Sequence, residues 1–396
     1  LAAYIFAGSS MRVAFILLAA LTGFGCTGVL RTTLPFNDLP TPEGPYAVGT
    51  QVETWQDASR TEEFTDDPDD LRRIVVQYWY PSSPTADGAP LAYITEPDVK
   101  IPAFAKSMGL PKFLVNHIRD VQTHSVPNAP LHPDANNLPL IVFSHGLGGM
   151  KTQNSIQAEE LASRGYVVIA ADHAFDAFLT LFDDGTTADY RSSGQGITTE
   201  DEFWAARGPQ LATRAADVTF MLDVIASAQR SAAQNGSESA PQIASPNPLW
   251  RVVDLARIGV FGHSFGGATS IMALDRDPRL RAAVVLDGWM VPVPEAVIDS
   301  GAAKPILYLG QERWDEPLNY EKLSRFVANS SAPVETEFWP DTKHMDFADS
   351  PHLSTFAKRV GFAGSIPAEE LRARLNADIL RFFADYVAPD SSEQQD

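Results

Sequence analysis

At 396 residues, 44% of them hydrophobic and 10% aromatic, the chain has ample apolar sequence for a large buried core and none of the bias of a disordered polymer. Lys and Arg number 30 against 50 Asp and Glu, a formal charge of −20. That balance repels phosphate backbones, so it argues against nucleic-acid partners and against adhesion to anionic membranes by charge alone.

Arg12 precedes an apolar run from Val13 to Leu21. The run is too short to span a bilayer and has the length of a secretory signal core. Residues before Met11 read as an upstream extension, and 1–26 are set apart from the fold. Cys26 is the only cysteine, so no intrachain disulfide can form. It stands where a bacterial lipoprotein carries its acylated cysteine, although Gly23-Phe24-Gly25 lacks the usual aliphatic residue. The expectation is an exported protein: secreted, periplasmic or lipid-anchored through Cys26.

Residues 27–136 are predicted to supply an extended and strand-containing region with cap elements, and 137–390 a catalytic core. From about 44 onward the two form one structural domain. Pro, Thr, Gly and acidic residues up to about 70 suggest extended or loop structure. Within that stretch Glu62, Glu63, Asp66, Asp67, Asp69 and Asp70 read as a solvated turn, because no EF-hand loop is present. Arg73 to Tyr80 is strand-like and stops at Pro81. Ile101 to Ile118 mixes large apolar residues with Lys106 and Lys112, giving short covering helices with a possible face toward membrane or lipid.

From Leu138 the pattern alternates. Leu138 to Ser144 is a continuous apolar run, as a strand buried on both faces requires. A helix over Thr152 to Ser163 and a strand over Tyr166 to Ala171 follow. Leu211 to Ile225 has helical apolar spacing, and the polar stretch from Gln229 to Pro248 reads as a loop. Strands are predicted over Arg257–Phe261, Ala282–Leu286, Pro305–Leu309 and Glu335–Trp339, with a helix from Gly266 and another over Ala368–Val387. Such alternation implies an α/β fold whose mostly parallel central sheet carries helices on both faces. Reactive residues then belong in loops at the strand C-terminal ends.

Gly262-His263-Ser264-Phe265-Gly266 fits G-x-S-x-G between a strand-like and a helix-compatible segment. In that setting the serine occupies a sharp turn that only small flanking residues let close. A serine hydroxyl attacks only when an oriented imidazole takes its proton. Of the histidines, only His344 and His352 follow Ser264. His344 lies directly after the Glu335–Trp339 strand, whereas His352 begins an apparent helix, so His344 is the expected base. Two positions suit the acid: Asp287 after Leu286, and Asp315 beyond the next strand with Glu312 and Glu316 as neighbours. Asp287, between Leu286 and Gly288-Trp289, is the more sheltered, which the role of orienting an imidazolium favours. Phe265 N–H and, from the turn His145-Gly146-Leu147-Gly148-Gly149, Leu147 N–H are the expected oxyanion donors. His173, Phe175, Trp289 and Met290 fall near strand ends and are candidate pocket walls. With no HExxH and no Cys/His cluster, neither a metal nor another cofactor is expected.

Four motifs carry a resemblance: Phe143-Ser144-His145-Gly146-Leu147-Gly148, Gly262-His263-Ser264-Phe265-Gly266-Gly267-Ala268-Thr269, Leu286-Asp287-Gly288-Trp289-Met290 and Lys343-His344-Met345-Asp346-Phe347-Ala348-Asp349. In this order they resemble the platelet-activating factor acetylhydrolases of the plasma and type II intracellular group, from about Gly44 through the His344 loop. The resemblance implies an α/β-hydrolase fold, the triad Ser264, Asp287 and His344, and calcium-independent hydrolysis of short or oxidised acyl chains at the sn-2 position of phospholipids. Gly288 replaces a larger residue, and the Ile101–Ile118 segment is less aromatic than the family's interfacial region. The expected partner is a small-molecule or lipid ester. The alternatives are a broad carboxylesterase, lipase or polyester hydrolase, and a non-catalytic lipid-binding envelope protein. Oligomeric state is left open.

Overall fold

The computed structural model describes residues 31, 34–84, 88–192, 197–233, 247–314, 316–359 and 361–387. The apolar run Val13 to Leu21, Cys26 and Asp315 lie outside the described residues.

Ala47–Thr61 (β1) and Leu71–Ser82 (β2) pair antiparallel, and Ser125–Pro127 (β3) runs parallel to the outer edge of β1. The apolar runs then appear as Leu138–Ser144 (β4) and Val167–His173 (β5), followed by a small hairpin, Leu179–Leu181 (β6) and Thr187–Asp189 (β7). Val253–His263 (β8), Leu280–Leu286 (β9), Ile306–Gln311 (β10) and Val334–Trp339 (β11) complete the strands. Nine of them form one sheet in the order β11-β10-β9-β8-β4-β5-β2-β1-β3. From β5 through β11 every neighbouring pair is parallel, as the alternating pattern predicts.

Successive residues of a strand point to opposite faces, which splits the apolar runs between two cores. Val142, Ile169, Val260 and Val285 pack on one face against Leu211 and Met221 of helix Glu200–Ala233, Ile271 of helix Phe265–Arg276 and Phe326 of helix Pro317–Asn329. Ile141, Val168, Phe261 and Val284 face the other way, onto Leu161 of helix Ser155–Ser163 and Phe383 of helix Ala368–Tyr386. Each such fully buried side chain contributes about 1.5–3 kcal/mol. In chain order, with Pro97–Ser107 as α1, these helices are α2 (Ser155–Ser163), α3 (Glu200–Ala233), α4 (Phe265–Arg276), α5 (Pro317–Asn329) and α6 (Ala368–Tyr386).

Three local outcomes differ from expectation. The stretch read as extended or loop before residue 70 contains the long strand β1, whose polar residues are partnered: Gln77 donates to Thr50, and Asp57 holds Arg60. Glu62 is not a solvated turn residue but an ion-pair partner of buried Arg72 at 2.8 Å. Helix α3 begins eleven residues before the predicted Leu211, at Glu200, because Thr199 and Glu202 form a reciprocal cap. The sequence Thr199-Glu200-Asp201-Glu202 carries that signal.

Between Ile101 and Ile118 the chain forms the end of α1, the turn Lys112–Val115 and a 3-10 turn. Ile101, Ala105, Val115 and Ile118 face inward, while Val99, Leu110 and Phe113 are exposed. Among the described residues no helix is long and apolar enough to cross a membrane.

Candidate active site

Strand β8 ends at His263, and the chain reverses at Ser264 with φ 58° and ψ −119° before α4 starts at Phe265. A non-glycine residue held there costs about 1–3 kcal/mol, so the surroundings must enforce it. Ser264 N–H donates to the Leu286 carbonyl at 3.0 Å, and its own carbonyl accepts Trp289 N–H and Gly267 N–H, both at 2.9 Å. A Cβ on Gly262 would lie 2.2 Å from the Gly266 carbonyl oxygen, and one on Gly266 would lie 1.9 Å from that of Ser144. Both flanking positions therefore admit only glycine.

The neighbouring strand β9 delivers Asp287, fully buried and also at positive φ (42°). Its Oδ1 accepts Gln311 N–H at 3.0 Å and Trp314 Nε1–H at 2.8 Å. Oδ2 accepts Gln311 Nε2–H at 2.9 Å and lies 2.6 Å from His344 Nδ1. Its two oxygens are thus met by four hydrogen-bond partners. His344 opens the 3-10 turn His344–Phe347 just after β11, its side chain 34% exposed and its ring 4.9 Å from that of Trp314. The turn is fixed by Asp346, which accepts N–H groups from Lys343 and Gly364 at 2.7 Å. With Nδ1–H directed at Asp287, the lone pair of Nε2 is left to receive a proton. Glu312, weighed as a rival acid, is exposed, and Glu316 accepts the Trp289 indole N–H at 2.9 Å. Among the described residues, the loop after β10 supplies donors to Asp287, and Gln311 and Trp314 are neighbours that a search for carboxylates passes over.

At the end of β4 the turn lies beside β8, its neighbour in the sheet. Gly146 N–H donates to Gln153 Oε1, Gly148 N–H to the Asp176 carbonyl and Gly149 N–H to the Gly146 carbonyl. Leu147 N–H makes no hydrogen bond to a protein acceptor among the described residues. Phe265 N–H lies in the first turn of α4, where a helix has no intrahelical acceptor to offer. Arg214 fixes the turn from α3, donating to the His145 carbonyl at 2.5 Å while paired with Asp176 at 2.7 Å.

Of the four expected pocket walls, the structure leaves one beside Ser264. Trp289 is half-buried, and its backbone N–H bonds Ser264. Met290 is fully buried in the core, with its N–H held by Asn319 at 2.6 Å. Phe175 is turned into a separate cluster, where it packs on Phe64 and Arg191. His173 is fully buried, 3.0 Å from Ser144 Oγ through Nε2 and 2.8 Å from Asp217 Oδ2 through Nδ1. This second Ser–His–Asp line has no solvent-facing atom, since all three residues are 0% exposed. It belongs to an interior ionic cluster in which Arg72 and Arg60 also pair with Asp217. Burial, then Arg214, pushes the His173 imidazole below its ordinary range.

The family signature of platelet-activating factor acetylhydrolase, isoform II, matches residues 33–359. Proteins named platelet-activating factor acetylhydrolase from dog and chicken are 31% and 30% identical over 56% and 54% of this chain, and the chain spans about half their length, 51% and 53%. The guinea pig protein of that name is 25% identical over 93% of this chain and 82% of its own. A solved structure, the ferulic acid esterase from Streptomyces cinnamoneus, superposes with a TM-score of 0.70 at 26% identity, covering 90% of this chain and 97% of that one. By its motifs, its α/β-hydrolase fold and the match over residues 33–359, the chain belongs to the family of platelet-activating factor acetylhydrolase, isoform II.

Proposed function

We propose that the chain is a serine ester hydrolase that acts through Ser264, His344 and Asp287. The observation that carries this reading is the fully buried Asp287, 2.6 Å from His344 Nδ1, directly after the strand that neighbours the one leading into Ser264. His344 Nε2 takes the Ser264 proton as Oγ attacks the ester carbonyl, and the Leu147 and Phe265 N–H groups receive the oxyanion. The imidazolium then protonates the departing alcohol. In the second half, His344 activates water to release the acid and free Ser264. Trp289 forms part of the wall facing the acyl group.

The substrate we propose is a short or oxidised acyl ester, with the sn-2 ester of a phospholipid first among candidates. The relatives' names support it, as do the exposed apolar side chains Val99, Leu110 and Phe113 in and just before the Ile101–Ile118 region. A broader esterase is the second reading, favoured by the similarity to a ferulic acid esterase. Export, directed by the run from Val13 to Leu21, is part of the same proposal, with residues 27–136 serving as cap and edge to the 137–390 core. A p-nitrophenyl ester series run beside a short-chain phospholipid separates the two substrates. Labelling with a fluorophosphonate probe tests the nucleophile: a parent chain that is not labelled at Ser264 sinks the whole reading.

A further inference from the structure

Two buried polar side chains beside the site, Gln153 and His263, are used by none of the steps above. Both are within a few per cent of full burial, at 8% and 1% exposed. Gln153 Oε1 accepts Gly146 N–H at 2.9 Å, and its Nε2 lies 2.6 Å from His263 Nδ1. The other ring nitrogen of His263 lies 2.9 Å from the carbonyl oxygen of His344. Its ring also lies against the His344 ring, centroids 4.4 Å apart at 36°.

The directions of these bonds are fixed by what each atom can do. Gly146 N–H can only donate, so the amide oxygen must face it and the amide N–H must face His263. Nδ1 of His263 must then be an acceptor. A carbonyl can only accept, so Nε2 carries the hydrogen. His263 is therefore held as one neutral tautomer, in keeping with burial and the nearby His344, which push its imidazole well below its ordinary range. The line runs one way: Gly146 N–H to Gln153, Gln153 to His263, His263 to the His344 backbone. It is reinforced where the Gln153 carbonyl accepts Asp349 N–H at 3.0 Å and Asn154 Nδ2–H reaches the Phe347 carbonyl at 2.9 Å.

We infer that Gln153 and His263 are positioning residues that lock the oxyanion turn, the nucleophile elbow and the His344 turn into one register. The inference rests on the ester-hydrolase reading and adds a coupling between its parts. Gly146 precedes the Leu147 donor, His263 precedes Ser264, and His344 is the base, so a single line of bonds sets three separately encoded loops. Keeping His263 uncharged has a second consequence. His344 becomes an imidazolium during acyl transfer, and a charged ring 4.4 Å away would oppose it.

The test uses Gln153→Met, His263→Phe and the double variant, each near in size to the parent residue. With p-nitrophenyl butyrate, each single change should lower kcat about 10–100-fold, the effect of misplacing a catalytic group by about 1 Å, and leave KM nearly constant. The double variant should lose no more than the worse single one, because both cut the same line. The acid limb of kcat/KM should stay in place in His263→Phe, since the ring removed is neutral. Active sites are counted by fluorophosphonate labelling, so misfolding shows as fewer sites and not as a lower kcat per site. Per-site kcat within twofold of the parent, or multiplying losses in the double variant, overturns the inference while the ester-hydrolase reading stands. A parent chain without Ser264-dependent turnover sinks both.

Discussion

Replacing Asp287 by Asn preserves shape and reverses the chemistry of one atom. The carboxylate accepts from Gln311 N–H, Gln311 Nε2–H, Trp314 Nε1–H and, at 2.6 Å, from His344. The backbone and indole donors both meet Oδ1, so the amide oxygen of an asparagine must stay there. Its NH2 group then replaces Oδ2, facing Gln311 Nε2 and His344 Nδ1. Nδ1 must become an acceptor, which moves the hydrogen to Nε2 and leaves Ser264 facing a donor. A wrong tautomer of this kind costs ~10⁴ in kcat, about 5 kcal/mol of transition-state stabilisation. The half-buried Gln311 amide must turn over to offer its oxygen to the new NH2 group, a cost to stability of at most about 1 kcal/mol. Purified Asp287→Asn should therefore melt somewhat below the parent and hydrolyse p-nitrophenyl butyrate about 10⁴-fold more slowly, while exposed Glu312→Gln should match the parent. An Asp287→Asn variant within tenfold of parental kcat would refute the assignment of the acid.

The buried second alignment gives a paired control: Ser144→Ala should keep parental kcat per active site and lose about 1–3 kcal/mol of stability, measured by urea denaturation, because it leaves buried His173 Nε2 unmatched. Arg72→Met should cost about 3–5 kcal/mol, because it leaves Asp217 and Glu62 buried with a partner missing, and its melting temperature should fall accordingly. Asp217 adds a pH signature. Burial opposes its ionisation, but Arg72 and His173 outweigh that and hold the carboxyl well below the usual carboxylate range. A carboxyl depressed in the folded state stabilises above its unfolded pKa of about 4, and that contribution is lost as pH falls below it. The stability gap between parent and Asp217→Asn should therefore be wide at pH 7 and narrower at pH 3, as read from urea midpoints.

The parallel half of the sheet was legible because strands such as Leu138–Ser144 are apolar on both faces. The elbow was legible because its glycines are required by contacts under 2.5 Å. Shelter selected Asp287 over the loop after β10, and Asp287 is the carboxyl found against His344. What stayed hidden is buried polar chemistry. Strand β1 was obscured by polar residues such as Thr50, which accepts from Gln77 of β2, and Asp57, which holds Arg60 three residues along the same strand. His173 was placed at the right strand end, but a strand buried on both faces has no alternation to say which way a side chain points. It points to Asp217, 44 residues away in sequence. Gln153 and His263 were hidden for the same reason, since their meaning lies in bonds between distant loops.

The most direct test of the account is hydrolysis by the purified chain lacking residues 1–26 and by its Ser264→Ala variant, with chelator present. Acetate release from a short sn-2-acetyl phospholipid and nitrophenol release from p-nitrophenyl butyrate are followed side by side. The account predicts turnover of both by the parent and loss of both in Ser264→Ala. Equal rates in the two proteins would contradict it.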